Sequence, residues 1–438
     1  MLRNAWWTLA VHNFLARSLM GAVLCATALT NQSGYADEDV SPARPLPGTP
    51  AAFAEDLSAD QLDAVEDRFS DLSFTGPPVG GLRPFKKPPS WGQVDFLLMW
   101  RRQPALPPLV TTSPPGTPLA QAGQLSQPTT TTLLGGQSQV SGPSTGGRID
   151  FGYWLNACSQ LGVGGSFLAL GNSSLDYAID TTTTPILARP FFNVTDGQTA
   201  AMDTLLASFP DEASGEIAVQ ATSTLIVAEA YLRQAGQHGA GTPGDLVGGY
   251  QFSRIDGSLK ISSHSTALST SQLRVPGTTL SLFDSINTQN EFHGGQLGVL
   301  NDWHYGCFTI FGSFKLGLGN MRQKAALSGQ TVIDDSVNSI TDPQGLLIRN
   351  TNIGNYERNV ITVVPQVNLR GTYAVSHQLD VTIGYSLIFF PHVLQPAEQL
   401  DPDLAVNLAA SGEPRPQFTF QSRDYWAQGL TFGLRWNY

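Results

Sequence analysis

From Trp91 onward the side chains alternate, apolar then polar, charged or small, in segments of about ten residues, and few folds can use that pattern. Ile149, Phe151, Tyr153 and Leu155 alternate with Arg148, Asp150, Gly152 and Trp154. Phe308, Ile310, Phe314, Leu316 and Leu318 alternate with Cys307, Thr309, Ser313 and Lys315. Ile361, Val363, Val367, Leu369 and Tyr373 do the same against Thr362, Gln366, Asn368, Arg370 and Thr372. Leu379 to Phe389 continues it, with Asp380, Thr382, Gly384 and Ser386 on the polar side. Period two belongs to the β-strand, whose successive side chains point to opposite faces. Each segment has one greasy face, and something must cover it.

Only 13% of the 438 residues are charged, about half the roughly 25% usual in soluble domains, which is too few to clothe a water-facing surface. No run of 18 or more apolar residues follows position 36, so no membrane helix is available. A closed barrel in a bilayer satisfies both facts. Its backbone groups pair between strands, and only alternate residues need be apolar.

Ten segments carry the pattern: 91–101, 146–156, 161–171, 215–233, 244–272, 286–302, 304–330, 356–375, 378–392 and 423–438. The connections alternate long and short: 102–145, 157–160, 172–214, 234–243, 273–285, 303, 331–355, 376–377 and 393–422. Bacterial barrels have long extracellular loops and short periplasmic turns. An even strand count places both ends of the barrel on the periplasmic side. The pattern predicts an all-β, antiparallel, up-and-down transmembrane barrel of about ten strands, within a range of eight to twelve. Trp91, Trp100, Trp303, Tyr305, Tyr425 and Trp426 fall near strand ends, where aromatic girdles mark the membrane interface. A soluble β-sandwich shares the alternation but lacks the sustained strand length.

The first 36 residues read as a cleaved export signal. Arg3 and Arg17 precede the apolar stretch Leu19–Leu29, and Gly34-Tyr35-Ala36 supplies small residues before Asp37. Its removal leaves 22 basic against 35 acidic residues, a net charge of −13. That balance argues against nucleic acid as a partner. Residues 37–90 form a Pro-rich periplasmic linker. Within it Ser58, Gln61, Leu62, Val65, Phe69 and Leu72 predict one short amphipathic helix.

Two groups of residues carry functional expectations. Leu430, Phe432, Leu434, Trp436 and Tyr438 form an apolar face on a strand that ends at an aromatic residue. Such an edge suits capture by strand addition, the step that barrel-assembly machinery performs. The partners expected are that machinery and outer-membrane lipid. By strand parity Arg148, Asp150, Glu229, Arg233, Lys315, Arg370, Asp380 and Arg435 face the lumen, because a charge facing lipid at mid-membrane costs ~2–4 kcal/mol. They form either a narrow, weakly anion-preferring constriction or a salt-bridge network that fills it. Small barrels are filled by side chains, and wide channels need about 16 strands, which favours filling.

No catalytic residue, metal ligand or cofactor is predicted. The six histidines from His238 to His392 show no metal-binding spacing, and no Gly-x-Ser-x-Gly elbow is present. His264-Ser265 and Glu291-x-His293 read as polar rim residues. Asp334-Asp335 and Asp401-Pro402-Asp403 lack calcium-loop spacing and read as solvated loop charge. The loops 102–145 and 172–214 would serve the alternative role, a surface-binding protein or adhesin. Cys158 and Cys307 fall in periplasmic turns four strands apart. At ~4.8 Å per strand this exceeds the roughly 7 Å Cα limit of a disulfide.

Several segments resemble the planctomycete outer-membrane proteins grouped as beta-barrel porin family seven. They are Leu106-Pro107-Pro108-Leu109-Val110-Thr111-Thr112, Leu133-Leu134-Gly135-Gly136, Gly147-Arg148 with Gly152-Tyr153-Trp154-Leu155, and Ala188-Arg189-Pro190-Phe191-Phe192. Gly294-Gly295-Gln296-Leu297-Gly298, Asn352-Ile353-Gly354 and Asp424-Tyr425-Trp426-Ala427-Gln428-Gly429-Leu430 follow in family order. The resemblance covers about 91–438. It implies an outer-membrane barrel of porin type and names no solute. Two departures stand out. Pro396-Ala397-Glu398-Gln399 replaces a Pro-Gly-Asp-Gln segment, and Gln366 stands where relatives tend to carry an acid.

Overall fold

Ten long strands pair edge to edge until the last meets the first. In the computed structural model they are β1 (Ser90–Arg101), β2 (Ser144–Trp154), β3 (Leu161–Asp180), β4 (Ala213–Gln234) and β5 (Asp245–Ala267). The remainder are β6 (Thr279–Tyr305), β7 (Phe308–Asp334), β8 (Gly354–Ala374), β9 (Leu379–Leu394) and β10 (Ser422–Asn437). Each pairs antiparallel with its sequence neighbours, and β1 closes on β10 from Trp91↔Asn437 to Arg101↔Ala427. The chain is a closed, up-and-down, ten-stranded antiparallel barrel. The structure describes residues 90–102, 106–136, 142–155, 160–195, 200–236, 244–272, 274–335, 337–405 and 414–437. The export signal, the linker with its helix, Cys158 and Tyr438 lie outside the described residues.

The wall is uneven. Strands β5, β6 and β7 run for 23, 27 and 27 residues, while β1 and β2 have only 12 and 11. On β7 the outward residues Phe308, Ile310, Phe314, Leu316 and Leu318 are all exposed. From Phe308 to Leu318 is about 34 Å at ~3.4 Å per residue, or about 26 Å of height at a tilt near 40°. That matches the ~25 Å apolar band of an outer-membrane barrel. Directly above it the outer face turns polar. Arg322 donates to Glu357 at 2.6 and 2.9 Å, Asn320 bonds Asn359, and Arg254 lies between Asp256 and Glu291. These residues face one another across the ladders of β5 to β8. Strands β4 to β8 therefore continue past the greasy band into water.

Inside the barrel the polarity runs the other way. The upper, water-surrounded part encloses Ile217, Val219, Leu259, Ile261, Leu282, Ile286, Ala325 and Leu327. Against them pack Leu106, Leu109, Val110, Leu134, Leu187, Phe191, Leu347, Ile348, Leu400 and Leu404, all from loops. Three of the long loops build a five-stranded sheet of their own from 110–112, 131–134, 187–193, 201–208 and 403–404. At Gly135 the backbone has φ +93°, and a Cβ there would lie 1.9 Å from the Pro107 carbonyl oxygen. The Leu-Leu-Gly-Gly segment is thus a turn that only glycine fits.

Several boundaries differ from the sequence expectation, each for a physical reason. The connection placed at 303 is Gly306-Cys307, because Trp303 and Tyr305 still pair with Ile310 and Phe308. Gly306 supplies the positive φ that the tight turn needs. Strand β3 runs nine residues past the expected 171. A register shift between Leu170 and Ser173 reverses its parity and turns Leu175, Tyr177 and Ile179 toward the loop core. Trp91 and Tyr425 do not join the aromatic girdle. Tyr425 is buried, and Trp91 packs on Trp154 at 5.4 Å, since both sit on the inward parity of their strands. The top of β9 parts from β8 but stays paired with β10 as far as Leu394↔Ser422. Its ladder to β8 stops at Gln366↔Ile388, and His392 takes φ +61°. Leu394 then reaches across to β6, where its amide and carbonyl both bond Asn290 at 2.7 and 2.9 Å.

Candidate functional site

Three layers occupy the interior from the short-turn end upward, and the lowest is charged. Arg148 on β2 donates to Asp95 on β1 through Nε and Nη2 at 2.9 and 2.6 Å. Its Nη1 donates to Asn368 and Ser386 across the barrel, and Asp150 lies 3.2 Å from Nε. Gln93 donates to Asp95 and accepts from Arg370. The Arg370 guanidinium also sits 4.7 Å from the Phe311 ring centroid. On the opposite wall Lys315 bonds Glu229 at 2.5 Å, and Gln366 donates to the other Glu229 oxygen at 2.8 Å. Near the rim Arg233 pairs with Asp245 at 2.5 Å and with Asp302 at 3.6 Å. It also lies over both the Trp91 and Trp154 rings, 5.4 and 5.2 Å from their centroids.

Every charged residue assigned to the lumen by parity has its side chain on this inner side. Arg148, Asp150, Glu229, Arg233, Lys315, Arg370 and Arg435 line one cavity of about 80 Å³. Asp380 is buried beside them, opposite Arg435 in the β9–β10 ladder. The cavity has room for only about five waters at ~10–15 Å³ each. Most of its cations already meet a carboxylate. Ions removed from water are tolerable only when paired and hydrogen-bonded, and here the partners come from the neighbouring strand for Arg148 and Arg233 and from across the bore for Lys315.

Above the charges lies an apolar layer. Leu97, Met99, Leu168, Leu170, Leu225, Val227, Ile255, Phe292, Met321, Val364, Ile388, Phe390, Val393, Tyr425 and Ala427 form one buried cluster. Nine of the ten strands contribute, so the layer spans the bore. The folded loops form the third layer, and a buried ion pair fastens them to the wall. Arg189 in the second long loop donates to Asp284 of β6 at 2.5 Å. Asp284 also accepts the backbone N–H groups of Leu347 and Ile348 at 3.0 and 2.8 Å. Asn352 closes the turn beneath them by accepting from the Arg349 amide and donating to the Leu347 carbonyl.

Sequence reasoning missed Asp95, Gln93, Arg189 and Asp284. Leu97-Leu98-Met99 makes both faces of β1 look apolar, which hides the parity that would have exposed Asp95. Arg189 and Asp284 lie 95 positions apart, and no local spacing signals such a pair. One signal was available, because Arg189 and Asn352 both fall within the quoted family segments. The suggestive histidines lie on the exposed outer face. His264 bonds Ser281, and His293 bonds the Tyr250 hydroxyl. Among the loop acids, Arg415 lies 3.1 Å from Asp401 and 3.7 Å from Asp403. Burial, reinforced by Asp401, pushes the Asp403 carboxyl up against the opposing pull of Arg415. Backbone N–H groups of Asn338 and Val337 hold Asp335 below the usual range.

Among known proteins, residues 91–438 match the model of a family described as "Putative beta barrel porin-7 (BBP7)". No curated protein sequence matches the chain. Among solved structures it is similar to the outer membrane protease OmpT of Escherichia coli, at 11% identity and TM-score 0.38, covering 82% of this chain and 99% of that one. It is also similar to the toluene transporter TodX of P. putida, at 8% identity and TM-score 0.20, covering 81% and 91%. A FadL homologue of Pseudomonas aeruginosa aligns at 8% identity and TM-score 0.22, covering 80% and 90%. Scores this low carry no argument about activity.

Proposed function

This chain belongs to the beta barrel porin-7 family, and from that premise we propose that it is a resident outer-membrane barrel whose lumen is closed at rest. Its role is then that of a structural surface barrel, or of a channel narrow enough to need the loops displaced before it conducts. The observation that carries this reading is the apolar layer across the bore, with charged pairs below it and folded loops above it. A hydrated solute would have to cross some 15 buried apolar side chains. The five cations and three acids assigned to the lumen serve here as mutual partners that fill the lower bore, rather than as a selectivity ring.

Purified full-length protein in planar bilayers tests the proposal. Near-silent traces are the expected result, with steps appearing only after the loops are loosened by urea or cleaved from outside. Frequent large openings of the untreated protein would refute it. The alternative, a surface-binding protein acting through the loops, draws support from their being folded into a sheet rather than loose. Binding to a surface that disappears when 110–134 is replaced by a short linker, with conductance unchanged, would favour that alternative.

A further inference from the structure

Between the apolar layer and the loops lies a second cavity, of about 70 Å³. Room for roughly five waters, at ~30 Å³ of liquid volume each, amounts to about 150 Å³, the size of a cavity that accepts benzene. Its walls are mostly apolar, with Leu106 from the loops and Leu175, Ile255, Leu259, Val393 and Leu394 from the strands. Yet four of its lining residues carry a buried polar atom with no hydrogen-bond partner among the described residues. These are Nε of Arg101, Oγ1 of Thr288, Oε1 of Gln395 and the hydroxyl of Tyr425. The four residues are 6%, 4%, 6% and 3% exposed.

Arg101 is the decisive one. Its Nη1 donates to the Ser223 carbonyl at 2.8 Å and its Nη2 to that of Gly171. Those contacts orient the guanidinium without neutralising it, because both acceptors are uncharged. A buried cation lacking a counter-ion is expensive, and so is a buried polar atom lacking a partner. The buried guanidinium groups of Arg148 and Arg189 each meet a carboxylate from the protein itself. This one is held open toward an apolar space.

We infer that this cavity is a binding site for a small apolar carboxylate, with Arg101 as its counter-ion and Thr288, Gln395 and the Tyr425 hydroxyl as its remaining polar contacts. A carboxylate accepts from Nε and takes a further bond from the Thr288 hydroxyl. The Gln395 amide presents either its oxygen or its nitrogen by rotating about its last bond. The surrounding leucine, isoleucine and valine side chains take the apolar body. The volume sets the size, a single ring or a chain of comparable bulk. It excludes a lipid-length acyl chain.

Calorimetric titration of the full-length protein in detergent micelles, with sodium benzoate as the probe, tests this. Saturable millimolar or tighter binding is expected, and benzyl alcohol, its neutral counterpart, should bind at least about tenfold more weakly. Dodecanoate should not displace benzoate. Arg101→Gln should weaken benzoate by about tenfold or more and leave benzyl alcohol almost unaffected. Because Arg101 also ties down two strands, Ala221→Phe provides a second variant. It fills the cavity from β4 and should abolish binding while the barrel keeps its heat-resistant electrophoretic mobility. The inference falls if folded wild-type protein shows no saturable benzoate binding, or if Ala221→Phe binds as well as wild type. It also falls if benzyl alcohol binds equally well, which would leave the orphan atoms to trapped water. Displacement by dodecanoate would overturn the small-solute assignment in favour of a lipid-derived chain.

Discussion

Replacing Arg189 by Met should undock the folded loops while leaving the ten-stranded barrel intact. Arg189 and Asp284 are 2% and 1% exposed and meet at 2.5 Å. Met conserves much of the volume but strands the carboxylate. Removing one partner of a buried pair costs about 3–5 kcal/mol, which is roughly 100- to 4,000-fold in a docking equilibrium. Asp284 keeps the amide donors of Leu347 and Ile348, so the lower end of that range applies. Hydrogen exchange read by mass spectrometry is the assay. Peptides covering 187–193, 201–208 and 345–348 should lose protection by about two orders of magnitude. The belt segment 308–318 serves as internal reference and should not change. Adding Asp284→Asn removes the stranded charge but still accepts both amides, so the double variant should recover much of the loss. Unchanged exchange in all the loop peptides of Arg189→Met, or an equal rise in the belt, would refute the view of this pair as the loop anchor.

Lys315→Met leaves Glu229 with Gln366 as its remaining neutral donor and should lower stability by about 3–5 kcal/mol in urea titration, with Glu229→Gln restoring part of it. An unchanged midpoint would mean that water reaches Glu229 freely. A single cysteine at Leu369 should be quenched by lipid-phase quenchers and one at Arg370 should not; the reverse pattern would put β8 out of register by one residue and exchange its faces. Removal of Trp436–Tyr438 deletes the pairing of Trp436 with Gly92 and Leu379 at the closing seam, and outer-membrane levels of the truncated protein should collapse. Cys307 is a free, exposed thiol in the β6–β7 turn, so a membrane-impermeant maleimide should label it in opened envelopes and spare it in intact cells.

Alternation alone determined that this chain forms a barrel of about ten strands, which way the side chains point, and which turns are short. Those properties are local. Lipid demands apolar residues at every second position, and tight turns demand few residues, so both leave marks within ten or so positions. The inward direction of Arg148, Glu229, Lys315 and Arg370 follows from the same parity and needs no knowledge of their partners. What alternation could not reveal is the apolar layer across the bore and the loops packed above it. Inside the upper wall Ile217, Ile261 and Ile286 are apolar because they pack on loops, not on lipid, and in a strand the two causes look alike. The β3 bulge compounds this by reversing the parity midway. Arg189 with Asp284, Arg148 with Asn368, and Arg101 with the carbonyls of Gly171 and Ser223 come together only when the barrel shuts and the loops fold inward. Contacts between residues 70 to 220 positions apart leave no periodic trace. Their energy depends on distance across the bore, which tertiary structure alone sets.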